Sequence, residues 1–103
     1  MINISEWNKN FNSTSFYRII TNGSGTSESI CKIFKNSEYP YSLSNEGYSC
    51  VVVLDKSKYL SNYISKPKVL GFECETLELS KFKCDLILKN NGYEVKVFGL
   101  KEI

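Results

Sequence analysis

Residues 82–100 read Phe-Lys-Cys-Asp-Leu-Ile-Leu-Lys-Asn-Asn-Gly-Tyr-Glu-Val-Lys-Val-Phe-Gly-Leu. Two alternating runs flank Asn91-Gly92, a pair whose residues both tolerate positive φ, as a two-residue type I′ turn requires. With the turn placed there, Lys89 faces Glu94, Leu88 faces Val95 and Leu86 faces Val97. One face of the ribbon collects Leu86, Leu88, Val95 and Val97, and Lys89 and Glu94 form an opposite-charge cross-strand pair. The stretch predicts a C-terminal β-hairpin turning at Asn91-Gly92. Its second strand would lie at a sheet edge, guarded against stray pairing by Lys96 and Lys101.

Working outward, residues 69–79 read as a further strand. Leu70, Phe72 and Cys74 share one parity while Leu77 and Leu79 share the other, so a bulge or turn is expected near Glu75-Thr76. Tyr48 to Leu54 is a strand whose Val51–Leu54 centre is apolar on both faces, as an interior strand would be. Between these two, Asp55 caps a short helix over 56–65 with Tyr59, Leu60, Tyr63 and Ile64 on its apolar stripe. Pro67 ends it. Phe16 to Thr21 is strand-like by its β-branched and aromatic content, and the Gly- and Ser-rich run after it reads as a loop. Residues 30–35 fit a strand paired with Phe16–Thr21, although Ile30, Ile33 and Phe34 also fit a helical face. Ser5 caps a short helix with Trp7 and Phe11 on one side. The expected fold is α+β: a mainly antiparallel sheet of five to six strands with one or two short helices, in a single domain over 1–103.

Composition narrows the chemistry. The 103 residues carry 13 basic and 11 acidic side chains, for a net charge of +2. The segment up to Glu46 balances four against four, and the remainder carries nine lysines against seven acids. Arg18 is the only arginine, which argues against arginine-based reading of DNA bases. No run reaches transmembrane length, and the N-terminus has no basic region followed by an apolar stretch, so a cytoplasmic protein is expected. The bias toward Asn, Ser, Lys, Ile and Tyr, with no His, Ala or Gln, suits an AT-rich coding sequence such as a bacterial mobile element or phage. Cys31, Cys50, Cys74 and Cys84 lack the paired spacing of a zinc site, and no histidine supplements them. They read as buried free thiols, and neither a metal nor a cofactor is expected.

No catalytic constellation emerges. A nucleophilic cysteine needs a base or a cation beside it, and none stands near in sequence. Glu73, Glu75 and Glu78 read as a solvated face. Gly23 to Glu28 lacks the spacing and lysine of a phosphate cradle. The richest recognition chemistry is Glu38-Tyr-Pro-Tyr-Ser-Leu-Ser-Asn-Glu-Gly-Tyr48, where rigid tyrosines alternate with adaptable polar residues. Tyr39, Tyr41, Asn45, Glu46 and Tyr48 are therefore the expected partner contacts. The expected function is a small non-catalytic protein that binds and inhibits or modulates a larger one, as toxin-immunity and phage anti-defence proteins do. The alternative is a nucleic-acid-binding module that uses Arg18, Lys56, Lys58, Lys66 and Lys68.

Overall fold

Tyr48–Leu54 lies within the sheet, paired on both sides, as its two-sided apolar pattern predicts. The computed structural model describes residues 3–21, 25, 27–38, 46–54 and 68–99. These form six strands in chain order: β1 (Asn3–Ile4), β2 (Asn8–Lys9), β3 (Phe16–Thr21), β4 (Ser27–Lys35), β5 (Tyr48–Leu54) and β6 (Lys68–Cys74). One helix follows, α1 (Leu77–Asn90), and a 3-10 turn, Asn36–Glu38, follows β4. Every pairing is antiparallel, in the order β1-β3-β4-β5-β6, with β2 pairing β3 beyond β1. The α+β expectation and the antiparallel sheet hold. No helix among the described residues is long and apolar enough to cross a membrane.

The C-terminal hairpin does not form. Leu77–Asn90 is a 14-residue helix lying against the sheet, chiefly against β5. Thr76 caps it, its side chain accepting from the Leu79 N–H at 3.1 Å. The parity change at Glu75-Thr76 is therefore the start of a helix rather than a bulge. Gly92 does adopt positive φ, at 87°, but as the stop of that helix. The Tyr93 N–H donates to the Leu88 carbonyl at 3.0 Å and the Gly92 N–H to that of Lys89 at 3.2 Å, the paired bonds of a Schellman ending. Tyr93 and Leu88, the two positions whose side chains commonly pack at such an ending, are both buried in the core.

The residues that hid the helix are the polar ones on its buried side. Its inward stripe is Ser80, Cys84, Asp85 and Leu88, all fully buried, while Leu79 and Leu86 face outward. Apolar periodicity marks a helix only when the buried stripe is apolar, and here it is half polar.

One further expectation is corrected, and one open alternative is decided in favour of the strand. Residues 5–9 form no helix. Instead β1 and β2 run along β3, and Ser5 between them exchanges bonds with Ile19: its N–H donates to the Ile19 carbonyl at 2.9 Å and its Oγ accepts the Ile19 N–H at 2.8 Å. The ambiguity over 30–35 resolves as strand. The β3–β4 register shifts between Arg18 and Ile19, so Arg18 pairs with Cys31 and Ile19 with Ser29. Ile30 is the extra residue, and Ile30, Cys31 and Ile33 all point inward. A bulge places two consecutive side chains on one face, which produced the helix-like spacing. The 56–65 helix expected from sequence lies outside the described residues.

The core sits between α1 and one face of the sheet. Ile20, Ile33, Val52, Leu54 and Leu88 fill it, and all four cysteines converge on it as free thiols. Cys50 contacts both Cys84 and Cys74, Cys84 contacts Cys31, and Ser80 adjoins Cys50 and Cys74. Contact with Cys84 and burial push the Cys50 thiol up, contact with Cys31 and burial push Cys84 up, and burial pushes Cys74 up. These groups are protonated thiols at neutral pH, filling space as small apolar side chains.

This cluster makes the protein sensitive to alkali. The unfolded chain releases thiol protons near the ordinary value of 9.0, while the folded protein retains them. Stability is thus untouched by Cys50 and Cys84 below pH 9 and falls as pH rises beyond it, by about 1.4 kcal/mol per pH unit for each of these two thiols. Urea unfolding between pH 8 and 11 should show that slope, and Cys50→Ala should make it shallower. An unchanged slope in the variant would remove Cys50 from this account.

Candidate docking surface

Arg18 and Asp85 hold the architecture on which any binding surface depends. Arg18 is 5% exposed and Asp85 0%. The Arg18 Nε donates to Asp85 Oδ1 at 2.8 Å and its Nη2 to Oδ2 at 3.0 Å, a bidentate pair. Its Nη1 donates to the Ser5 carbonyl at 2.6 Å and its Nη2 also to the Lys96 carbonyl at 3.3 Å. Asp85 Oδ2 also accepts from Trp7 Nε1 at 3.2 Å and from the Phe98 N–H at 2.9 Å. The Trp7 ring lies 5.0 Å from the guanidinium carbon, within cation–π range. One ion pair thereby ties β3 and α1 to the N-terminal and C-terminal segments.

This corrects the expectation for Arg18. Its guanidinium is committed inside the protein and is not presented to a phosphate. Lys68 is exposed at the start of β6, three strand positions from Arg18, or roughly 14 Å across the sheet at the usual strand spacing. The structure does not bring these two together, and Lys56, Lys58 and Lys66 lie outside the described residues. Of the expected protein contacts, Tyr39, Tyr41 and Asn45 also lie outside them. Glu46 is exposed, while Tyr48 is half-buried and packs against the core.

The ends of the segment holding these residues are stitched together. Asn36 is buried. Its N–H donates to the Gly47 carbonyl at 3.0 Å, its Nδ2 donates to the Glu46 carbonyl at 2.7 Å, and its Oδ1 accepts from Ser49 Oγ. Asn36 thus supplies a backbone donor, an amide donor and an acceptor where the chain leaves β4 and where it enters β5.

Beside this closure stands a feature the sequence reading missed. Phe11 is 99% exposed, at the apex of the turn joining β2 to β3. The turn is held from within: the Asn10 N–H donates to the Ser15 carbonyl at 2.8 Å, the Asn12 N–H to Asn10 Oδ1 at 3.2 Å and the Ser15 N–H to Ser13 Oγ at 3.2 Å. Thr14 anchors it to the 3-10 turn, donating to Glu38 Oε2 from its N–H at 3.3 Å and from its hydroxyl. The Thr14 hydroxyl holds the Glu38 carboxyl below its usual range. A cavity of about 400 Å³ opens beside Phe11, lined by Phe16, Tyr17, Phe34 and Lys32 among others.

Register explains why these aromatics meet. Tyr17 pairs with Lys32, and Phe34 stands two residues further along β4, so all three lie on the sheet face away from α1. That face also carries Ile19, Val51, Val53 and Val69. The sequence signal for Phe11 was its flanking: a lone aromatic between Asn10 and Asn12, in a run of turn-forming residues. Read as the end of a helix, it passed for core.

No protein-family model, curated protein or solved structure matches this chain.

Proposed function

We propose that this protein binds another protein and acts by occupying part of its surface, without turnover of its own. The observation that supports the reading is Phe11. An exposed phenylalanine is costly in water, at roughly 1.5–3 kcal/mol relative to burial. Here it crowns a turn pre-organised by its own side-chain hydrogen bonds. An aromatic on a pre-organised turn, beside a hollow of mixed aromatic and polar lining, suits an interface anchor, because little backbone entropy is lost on docking. Its turn is bonded to the 3-10 turn that leads into Tyr39–Tyr48. The aromatic apex is therefore bonded to the described residues that immediately precede the tyrosine-rich segment in the chain.

The test begins with affinity capture from the producing cell, using the wild-type chain and Phe11→Ser in parallel. A partner retained by the wild type is then purified and titrated against both. Loss of an anchor worth about 2 kcal/mol weakens binding roughly 30-fold. Equal affinity for both forms would remove Phe11 from the interface, and no specific partner at micromolar concentration would defeat the reading.

A second reading rests on Tyr17 and Phe34 flanking Lys32 on the open sheet face. Aromatics beside a lysine on an exposed sheet suit stacking of single-stranded nucleic acid. Its mark is an affinity for single-stranded RNA that falls steeply with salt and disappears in Tyr17→Ala.

A further inference from the structure

We infer that the protein pairs with a second copy of itself through the free edge of β6, at the opposite end of the sheet from the Phe11 turn. Among the described residues β6 is bonded on one side only, to β5. Its seven residues contain no proline and no bulge, two of the devices that commonly blunt an exposed edge. The described large apolar side chains that remain exposed are five, and three of them flank this strand: Val69 at 62% on it, and Leu79 at 38% and Leu86 at 36% on α1 beside it. Between strand and helix runs a groove of about 420 Å³ lined by Leu70, Phe72, Leu86 and Ile87, with Glu73 and Lys83 at its margin. An exposed edge and an exposed apolar groove on one side of a small domain point to association there.

The edge is complementary to itself. Lys68, Leu70, Phe72 and Cys74 face α1, while Val69, Gly71 and Glu73 face away. Two antiparallel copies centred on Gly71 place Leu70 opposite Phe72 twice. They also place Lys68 of each copy opposite Cys74 of the other. Cys74 lines a cavity of about 720 Å³ whose rim carries Glu46, Glu73, Glu75 and Lys83. The lysine at one end of the strand thus meets an excess of carboxylates at the other, in both halves of a two-fold arrangement. Gly71 on the axis carries no side chain to oppose close approach. The two Phe11 turns would stand at the far ends of the joined sheet.

Sedimentation equilibrium at micromolar concentrations tests this directly. The wild type is expected to sediment at twice its 11.8 kDa chain mass. Lys68→Glu sets like charges against each other at both ends of the interface and is expected to yield a monomer with an unchanged circular dichroism spectrum. Lys68→Glu combined with Glu75→Lys restores the opposite-sign pairing and is expected to restore the dimer. A wild type that is folded and monomeric at these concentrations overturns the inference. So does a dimer that survives Lys68→Glu with unaltered affinity. Neither result bears on Phe11, whose partner binding is measured separately.

Discussion

Asp85→Ala is expected to cost about 3–5 kcal/mol of folding stability, the usual penalty for removing one member of a buried ion pair. The cost arises from what is left behind. Arg18 would keep its charge inside the protein, 5% exposed, with the Ser5 and Lys96 carbonyls and the Trp7 ring left beside it in place of a counter-charge. The Trp7 indole N–H and the Phe98 backbone N–H would lose their acceptor together. A chain of this length has about 5–15 kcal/mol in total, so the variant would stand near the limit of folding. Chemical denaturation gives the magnitude. Arg18→Lys should recover little of what Arg18→Ala loses, since an ammonium group cannot make the bidentate pair. Replacing both partners, as Arg18→Met with Asp85→Leu, should be far milder than either single truncation, because no charge is then stranded. If the double variant were as unstable as Asp85→Ala alone, the pair would not be the unit that matters.

Gly47→Ala is the second large effect, and it acts through the backbone. Gly47 holds φ at +78°, and a Cβ built there would stand 2.6 Å from the Cys74 carbonyl oxygen. The left-handed conformation alone costs a non-glycine residue about 1–2 kcal/mol. The overlap is with main chain in an adjacent strand, so it cannot be relieved by turning a side chain. Relief requires parting β5 from β6 where Tyr48 pairs with Cys74, and disturbing the Asn36 bonds to Glu46 and Gly47. The combined loss should be about 3 kcal/mol, an estimate that includes this steric cost. Gly25 supplies the control. Its φ is +85° and nothing stands within 4 Å of the added methyl group, so Gly25→Ala should show the conformational cost alone. Thermal unfolding of the two variants separates the contributions, and equal losses would mean that the approach to Cys74 is not constraining. Hydrogen exchange should also quicken at the Tyr48 end of β5 in Gly47→Ala and not in Gly25→Ala.

The ending of α1 and the ion pair on its buried side show where local pattern stopped being informative. Asn91-Gly92 announced positive φ, and Gly92 has it. A hairpin turn and a helix ending make the same demand on that residue, however, and the dipeptide does not distinguish them. What distinguishes them is which side of residues 77–90 is buried. Asp85 belongs to the buried side because Arg18, 67 residues earlier, supplies a counter-charge there. Nothing near Asp85 in the sequence carries that information. The same applies to Arg18, which looked like a free cation. Phe11 fails in the opposite sense: its four-residue spacing from Trp7 looked like a helical core face, yet Trp7 turns inward to Arg18 and Phe11 points to solvent.

The antiparallel strands at 16–21 and 48–54, the interior position of the latter and the positive φ at Gly92 are legible in the chain alone, because each rests on short-range chemistry: side-chain alternation, β-branching and the steric freedom of glycine. The reading of the four cysteines as buried thiols also holds, although the run around Cys84 is helix and not an alternating strand. Long-range packing is what makes residues 77–90 helix rather than strand, Ile30 a bulge, Arg18 interior and β6 the last strand of the sheet among the described residues. Those outcomes depend on partners distant in the chain. A buried charge is tolerated only opposite its counter-charge, and an edge exists only relative to the strands that have already paired.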